Sequence, residues 1–233
     1  MHHILKGIVQ AFQMLFRGDP SVYSIALRSL EVSVPSIAVA LLIGVPAAAL
    51  VALTRFRGRH LVISLINTGM AWPPVVIGLI VALFLWRSGP LGFLDLIYTV
   101  RAMIIAQVLI ATPIVTGLSL AAFQQLDPGF RLQILSFGAG RPRLMALLVR
   151  EIRIPILAAS MAAFGRIIAE VGAATIVGGN IQGQTQVLTT AIVQRTNMGD
   201  FAGAIALGVI LLLLAFATNF VMTTVQQRSF WVI

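Results

Sequence analysis

The chain contains no cysteine. Disulfides, thiolate chemistry and cysteine-based metal sites are therefore excluded, and cysteine usage says nothing about the redox compartment. Charge is also scarce. Only 10% of the 233 residues are Asp, Glu, Lys or Arg, against about 25% in an ordinary soluble domain. There are 7 acidic and 16 basic residues, and Lys6 is the sole lysine among the latter. The histidines are His2, His3 and His60, at a terminus and in a loop, so no histidine cluster suggests a metal site. The apolar stretches hold neither paired carboxylates nor a Ser/His/Asp set, which argues against a membrane enzyme. A nucleotide-binding loop of the P-loop type is missing as well, so any ATP-driven role needs a separate ATPase subunit.

What the chain does have is hydrophobicity, with 59% apolar residues. A soluble protein of this composition could not cover its surface, so the fold class is all-α integral membrane. Five apolar runs reach the roughly 20 residues that a spanning helix needs: 29–53, 61–86, 102–123, 154–177 and 201–225. They lack apolar/polar alternation, which excludes spanning β-strands. Ahead of them, Ile4, Leu5, Ile8, Val9, Phe12, Leu15 and Phe16 recur at helical spacing, with Lys6, Gln10 and Gln13 off the stripe. A signal sequence would be apolar all round. Residues 1–20 are therefore expected to form an amphipathic helix at the membrane surface, and 21–228 a single transmembrane domain.

The basic residues have a pattern. Arg55, Arg57 and Arg59 lie in the first connection, and Arg131, Arg141, Arg143, Arg150 and Arg153 in the third. With Arg228, one side carries nine basic residues. Lys6, Arg17, Arg28, Arg87, Arg101 and Arg195 make six on the other. Cytoplasmic loops collect such residues, which explains the positive balance without nucleic acid. It also puts the N-terminus outside and the C-terminus in the cytoplasm. Pro35, Pro46, Pro73-Pro74 and Pro113 fall inside the spans, where they bend helices.

The third connection, 124–153, is too long for a simple link. Asp127 can cap a helix that begins near Pro128. Gly138-Ala139-Gly140 can end that helix, and Pro142 fits the start of another. Two short cytoplasmic helices joined at a glycine turn are expected, suited to docking in a groove on another protein. A basic loop meeting lipid headgroups is the alternative. In the fourth span, Arg166 and Glu170 stand at i, i+4, where they share a helix face and can pair. An arginine alone at the bilayer centre costs about 2.5–3.5 kcal/mol on insertion scales, so both should face the interior or water. Gly172, Gly178 and Gly179 allow close helix approach or a break that exposes backbone donors. A plain helix terminus would explain them equally. The segment 180–200 is polar. It is expected outside, as a docking place for a binding protein or as a piece that re-enters the membrane edge.

At these residues the chain resembles a known family. Gly138-Ala139 followed by a basic, apolar helix is similar to the ATPase-docking loop of bacterial ABC importer permeases. Leu132-Gln133-Ile134 stand where the family has Glu-Ala-Ala, and Arg150-Glu151 where it has Leu-Pro. The wider resemblance is to tungstate importer permeases. It is carried by Pro73–Leu79, Arg87–Gly92, Arg150–Arg153, Ala163–Arg166, Ala169–Ala173, Val177–Ile181 and Val187–Ile192. The resemblance implies a type I ABC importer permease fold, a homodimer, two cytoplasmic ATPase subunits and an extracytoplasmic oxyanion-binding protein, in a bacterial inner membrane. ATP and Mg would be bound by the ATPase, with no cofactor, metal or catalytic residue in this chain. Asp127, Gly138, Ala139, Arg141, Arg150, Glu151 and Arg153 would form the coupling loop. Arg166, Glu170, Gly172, Gly178, Gly179 and Asn180 would line the pathway or its gate. The cargo implied is tungstate, with molybdate, sulfate or another anion as alternatives. A passive channel or scaffold is a more remote one.

Overall fold

A computed structural model describes residues 2–17, 20–138 and 140–228. Their regular elements are all helical. In chain order these are α1 (His2–Arg17), α2 (Pro20–Leu53), α3 (Arg59–Met70), α4 (Pro74–Leu85), a 3₁₀ turn (Gly92–Leu94), α5 (Val100–Gln124), α6 (Pro128–Ser136), α7 (Arg141–Glu151), α8 (Arg153–Ile168), α9 (Gly172–Gly178), α10 (Leu188–Asn197) and α11 (Phe201–Arg228). Among the described residues, α2, α5 and α11 are each long and apolar enough to cross a membrane. The pairs α3–α4 and α8–α9 reach that length only together, which makes five spans if each bent pair counts as one.

The hub of the bundle is α5, which packs against α2, α3, α4, α8 and α9. Small residues let it do so. A Cβ at Gly44 of α2 would sit 2.9 Å from the Val115 Cγ1 on α5. Where α4 crosses α9, a Cβ at Gly78 would sit 2.6 Å from the Ala173 Cα. In lipid, where hydrophobicity cannot drive helices together, such backbone proximity is how they gain packing energy. The outward faces carry large apolar side chains instead. Leu42 and Ile43 on α2, Leu79 and Leu83 on α4, and Leu212 and Phe216 on α11 are all exposed, as a hydrocarbon solvent permits.

Three expectations need correction. The run 61–86 is not one continuous helix. Consecutive Pro73 and Pro74 remove two backbone donors and push their predecessor out of helical conformation, and the two halves meet at 100°. Pro35, Pro46 and Pro113, by contrast, sit inside unbroken helices. The run 154–177 is also broken, by 62°, although it holds no proline after Pro155. The first span starts at Pro20 rather than at 29, so α2 is 34 residues long, about 51 Å at 1.5 Å per residue.

The amphipathic segment is helical, as expected, but it contacts the protein through its small residues. Ala11 is fully buried, and a Cβ at Gly7 would lie 2.6 Å from the Ile205 Cγ2 on α11. Leu5, Ile8, Val9 and Phe12 of the apolar stripe are exposed, away from the rest of the chain.

Candidate functional site

The two-helix loop forms as its local chemistry dictates. The Asp127 carboxylate accepts a hydrogen bond from the Gly129 N–H at 2.8 Å and caps α6, with Pro128 in the first turn. Gly138 turns the chain at φ +73°, a left-handed conformation that costs other residues about 1–2 kcal/mol. Arg141 is the first residue of α7; Ala139 lies outside the described residues. Leu144, Leu148 and Ile152 recur at i, i+4, i+8 and are buried against Ala48, Ala49, Leu120 and Phe123 at the ends of α2 and α5. The other side of the loop is bare and apolar. Phe137 is 82% exposed, and Leu132 and Leu135 are exposed beside it. Arg150 and Glu151 face solvent, while Arg153 is partly buried. The loop is thus clamped to the bundle on one side and open on the other.

The second cluster surrounds the break between α8 and α9. The helix α8 ends at Ile168, so the register that would put Arg166 and Glu170 on one face is lost. Arg166 is exposed in the last turn of α8. Glu170 is only 9% exposed, and its Oε1 accepts from the Ala173 N–H at 2.9 Å. The expected pair does not form; the carboxylate caps α9 instead. Two distant side chains hold the break open. The Gln107 Nε2 on α5 donates to the Ile167 carbonyl at 3.2 Å. The Thr189 hydroxyl on α10 donates to the Glu170 carbonyl at 2.8 Å. These bonds satisfy backbone groups that a continuous helix would have paired internally.

The glycines here serve close approach. A Cβ at Gly172 would meet the Val75 Cγ2 at 2.4 Å, and one at Gly178 the Met103 Sδ at 2.7 Å. Gly179 ends α9 at φ +72° and Asn180 follows at φ +50°. The Asn180 Nδ2 donates to the Gln194 Oε1 at 3.3 Å, while its Oδ1 is buried without a partner.

The polar segment 180–200 does not present its side chains to a docking partner throughout. Thr185, Gln186, Thr189 and Thr190 are buried. The Leu188 N–H donates to the Ser29 hydroxyl at 3.0 Å, and the Arg28 guanidinium donates to the Gln184 carbonyl. The segment folds back onto α2 and is partly buried in the bundle. At its end, the Arg195 guanidinium bonds the Asp200 carboxylate at 2.7 Å and holds it below the usual carboxylate range, helped by the Gly203 N–H.

Gln107 and Ser29 are not among the candidates read from the sequence, and Arg28 enters there only as one of the basic residues. Gln107 carried a signal, since a lone amide inside an apolar span calls for a buried partner.

A family profile described as binding-protein-dependent transport system inner membrane component matches residues 40–230. The tungstate uptake system permease protein TupB of Peptoclostridium acidaminophilum is 38% identical over 228 residues, covering 98% of this chain and 100% of that protein. TupB of Campylobacter jejuni is 37% identical, covering 95% of this chain and 92% of its own. A probable anion ABC transporter permease protein of Haloferax volcanii is 40% identical, covering 88% and 91% respectively.

Proposed function

The chain belongs to the family of binding-protein-dependent transport system inner membrane components, and from that premise we propose that it is the membrane-spanning half of a tungstate importer. It is an ABC transporter permease subunit, without an ATPase site of its own. The cargo reading is carried by one observation, the near-full-length identity to two tungstate uptake permeases. Two copies of this chain enclose the pathway between them, because five spans are few for a wide one. Two cytoplasmic ATPases bind ATP and Mg, and an oxyanion-binding protein docks outside. The arginine-rich loops face the cytoplasm, the N-terminus lies outside and the C-terminus inside.

Mechanistically, the bare end around Phe137 and Gly138 seats on the ATPase. When ATP closes the ATPase dimer, the displacement enters α7, which is clamped to α2 and α5 by Leu144, Leu148 and Ile152. It continues into α8, which follows after a single residue, Ile152. The bundle alternates between outward and inward openings, and no covalent chemistry occurs in this chain. Arg166 faces the aqueous pathway, since an exposed guanidinium on a span is costly against lipid. There it attracts an oxyanion.

The test is ATP hydrolysis by the reconstituted complex of this chain, its ATPase and its binding protein. Tungstate should stimulate it at lower concentration than molybdate or sulfate. Stronger stimulation by either competitor would replace the cargo. Absence of a co-purifying ATPase would remove the importer reading and favour a channel or scaffold.

A further inference from the structure

Between the C-terminal end of α2, the loop after it and α6 lies a cleft of about 600 Å³. Its floor is apolar and includes Leu53, Phe123 and Leu148; Arg55, Arg59 and Arg131 also line it. Two of these guanidiniums are positioned by the fold. The Arg59 Nε donates to the Val51 carbonyl at 2.8 Å, and the Arg131 Nη1 to the Leu53 carbonyl at 3.5 Å. These bonds cap the end of α2, where cations complement the helix dipole. They use one of five donors on each guanidinium. Arg55 makes no such bond. Among the described residues, no carboxylate pairs with any of the three. The one acidic residue lining the cleft, Asp127, is engaged in capping α6.

We propose that this cleft is a binding site for an anionic phospholipid, whose phosphodiester meets the three arginines while its glycerol and upper acyl carbons lie on the apolar floor. Three observations select that occupant. Three guanidiniums against the single carboxylate of Asp127 leave the cleft with an excess of two positive charges, which complements a phosphate. The floor is apolar, which suits an amphiphile better than a free, fully hydrated anion. The exposed Phe56 and Leu61, each near an arginine of the cleft in the chain, suit contact with a bilayer rather than water. Basic pockets at the cytoplasmic ends of spanning helices hold anionic headgroups, and each arginine near such a surface adds about 1 kcal/mol. The site goes beyond the transport reading and does not depend on the cargo. Since Arg131 and Asp127 belong to α6, an occupied cleft would tie the docking loop to the lipid leaflet.

The purified full-length chain in detergent can be titrated with phosphatidylglycerol and with phosphatidylcholine, with bound lipid read by native mass spectrometry. The chain should retain phosphatidylglycerol preferentially. Arg55→Gln, which disturbs no hydrogen bond of the fold, should weaken that retention about fivefold, and Arg55→Gln/Arg131→Gln about thirtyfold. Arg87→Gln, on the other side of the membrane, should change nothing. Equal retention by the chain and Arg55→Gln would overturn the proposal. So would displacement of the lipid by millimolar inorganic phosphate or molybdate, which would make the cleft a free-oxyanion site. Unchanged lipid retention with loss of the co-purifying ATPase would assign the arginines to protein docking instead, and would equally overturn it. None of these outcomes bears on which oxyanion is transported.

Discussion

Glu170→Ala tests whether the break between α8 and α9 is held by a side-chain cap. The substitution removes the acceptor of the Ala173 N–H at 2.9 Å. Ala173 is fully buried, so water cannot replace the lost partner. An unsatisfied buried donor costs about 1–3 kcal/mol. Losing the packing of one methylene, Cγ, adds about 0.8 kcal/mol. The expected destabilisation is therefore about 3 kcal/mol, a fall in thermal midpoint of roughly 6–12 °C for a chain of this size. Glu170→Gln keeps an Oε1 acceptor and the methylenes, so it should cost less than about 1 kcal/mol. Arg166→Gln, remote in function because Arg166 is exposed and unpaired with Glu170, should add to either variant within about 0.5 kcal/mol. The assay is thermal unfolding of the purified chain in one detergent at one pH. If Glu170→Gln is as damaging as Glu170→Ala, charge rather than capping is what matters. If Arg166→Gln rescues Glu170→Gln, the two residues are an ion pair, whose disruption one-sidedly costs about 3–5 kcal/mol, and the capping argument fails.

If the proposed ATPase docks at this loop, Gly138→Trp should uncouple ATP hydrolysis from transport in the reconstituted complex, because space around Gly138 is open in the chain itself. Gly138→Asn, which tolerates the left-handed conformation, serves as the control for backbone strain; normal transport by the tryptophan variant would show that the loop does not couple. Single cysteines at Arg57 and Arg143 should resist an impermeant thiol reagent applied to intact cells, while cysteines at Ser88 and Gln184 should react, and the reverse pattern would invert the orientation. Gly89 is unsuitable for such a probe, since a Cβ there would lie 2.2 Å from the Leu83 carbonyl oxygen. Gly78→Leu should cost at least about 1–3 kcal/mol by overpacking, because its Cβ alone would sit 2.6 Å from the Ala173 Cα on α9; an unchanged thermal midpoint would refute that crossing.

What could be read from the sequence was what local chemistry decides. Asp127, Pro128 and Gly138 specify a cap, a first turn and a left-handed stop within a dozen residues, and the loop forms accordingly. Span number followed from apolar length alone. What escaped was decided at long range. The break after Ile168 contains no proline; it is held by Gln107, sixty positions away, and by Thr189, nineteen positions beyond Glu170. Without them the i, i+4 spacing of Arg166 and Glu170 was a sound inference from a continuous helix, and it failed only because the helix stops. Pro73-Pro74 announced a kink but not its 100° angle, and nothing local announced that α3 seats on α5, where a Cβ at Gly69 would lie 3.0 Å from the Pro113 ring. The N-terminal helix was legible in part: periodicity identified the apolar stripe, of which Leu5, Ile8, Val9 and Phe12 are exposed, but carried no signal of the contact that Gly7 and Ala11 make with the protein.

The same break bears on how motion can travel through the chain. A helix interrupted by proline has a fixed defect, because no rearrangement restores a missing N–H. The defect after Ile168 differs. Every residue from Arg166 to Ala174 keeps its backbone donor, so the break is maintained by the side-chain bonds from Gln107, Glu170 and Thr189, and those bonds can be exchanged. The Gln107 Oε1 is buried with no hydrogen-bond partner among the described residues, so an arrangement that supplies a donor to it would favour the rearranged joint. Since α8 follows α7 after one buried residue and is itself only about 24 Å long at 1.5 Å per residue, a displacement at the Gly138 end reaches the break through one short rigid element. The exchangeable joint therefore lies at the far end of α8 from the α6–α7 loop, within one turn of Arg166, which places that arginine next to the part of the backbone best able to rearrange.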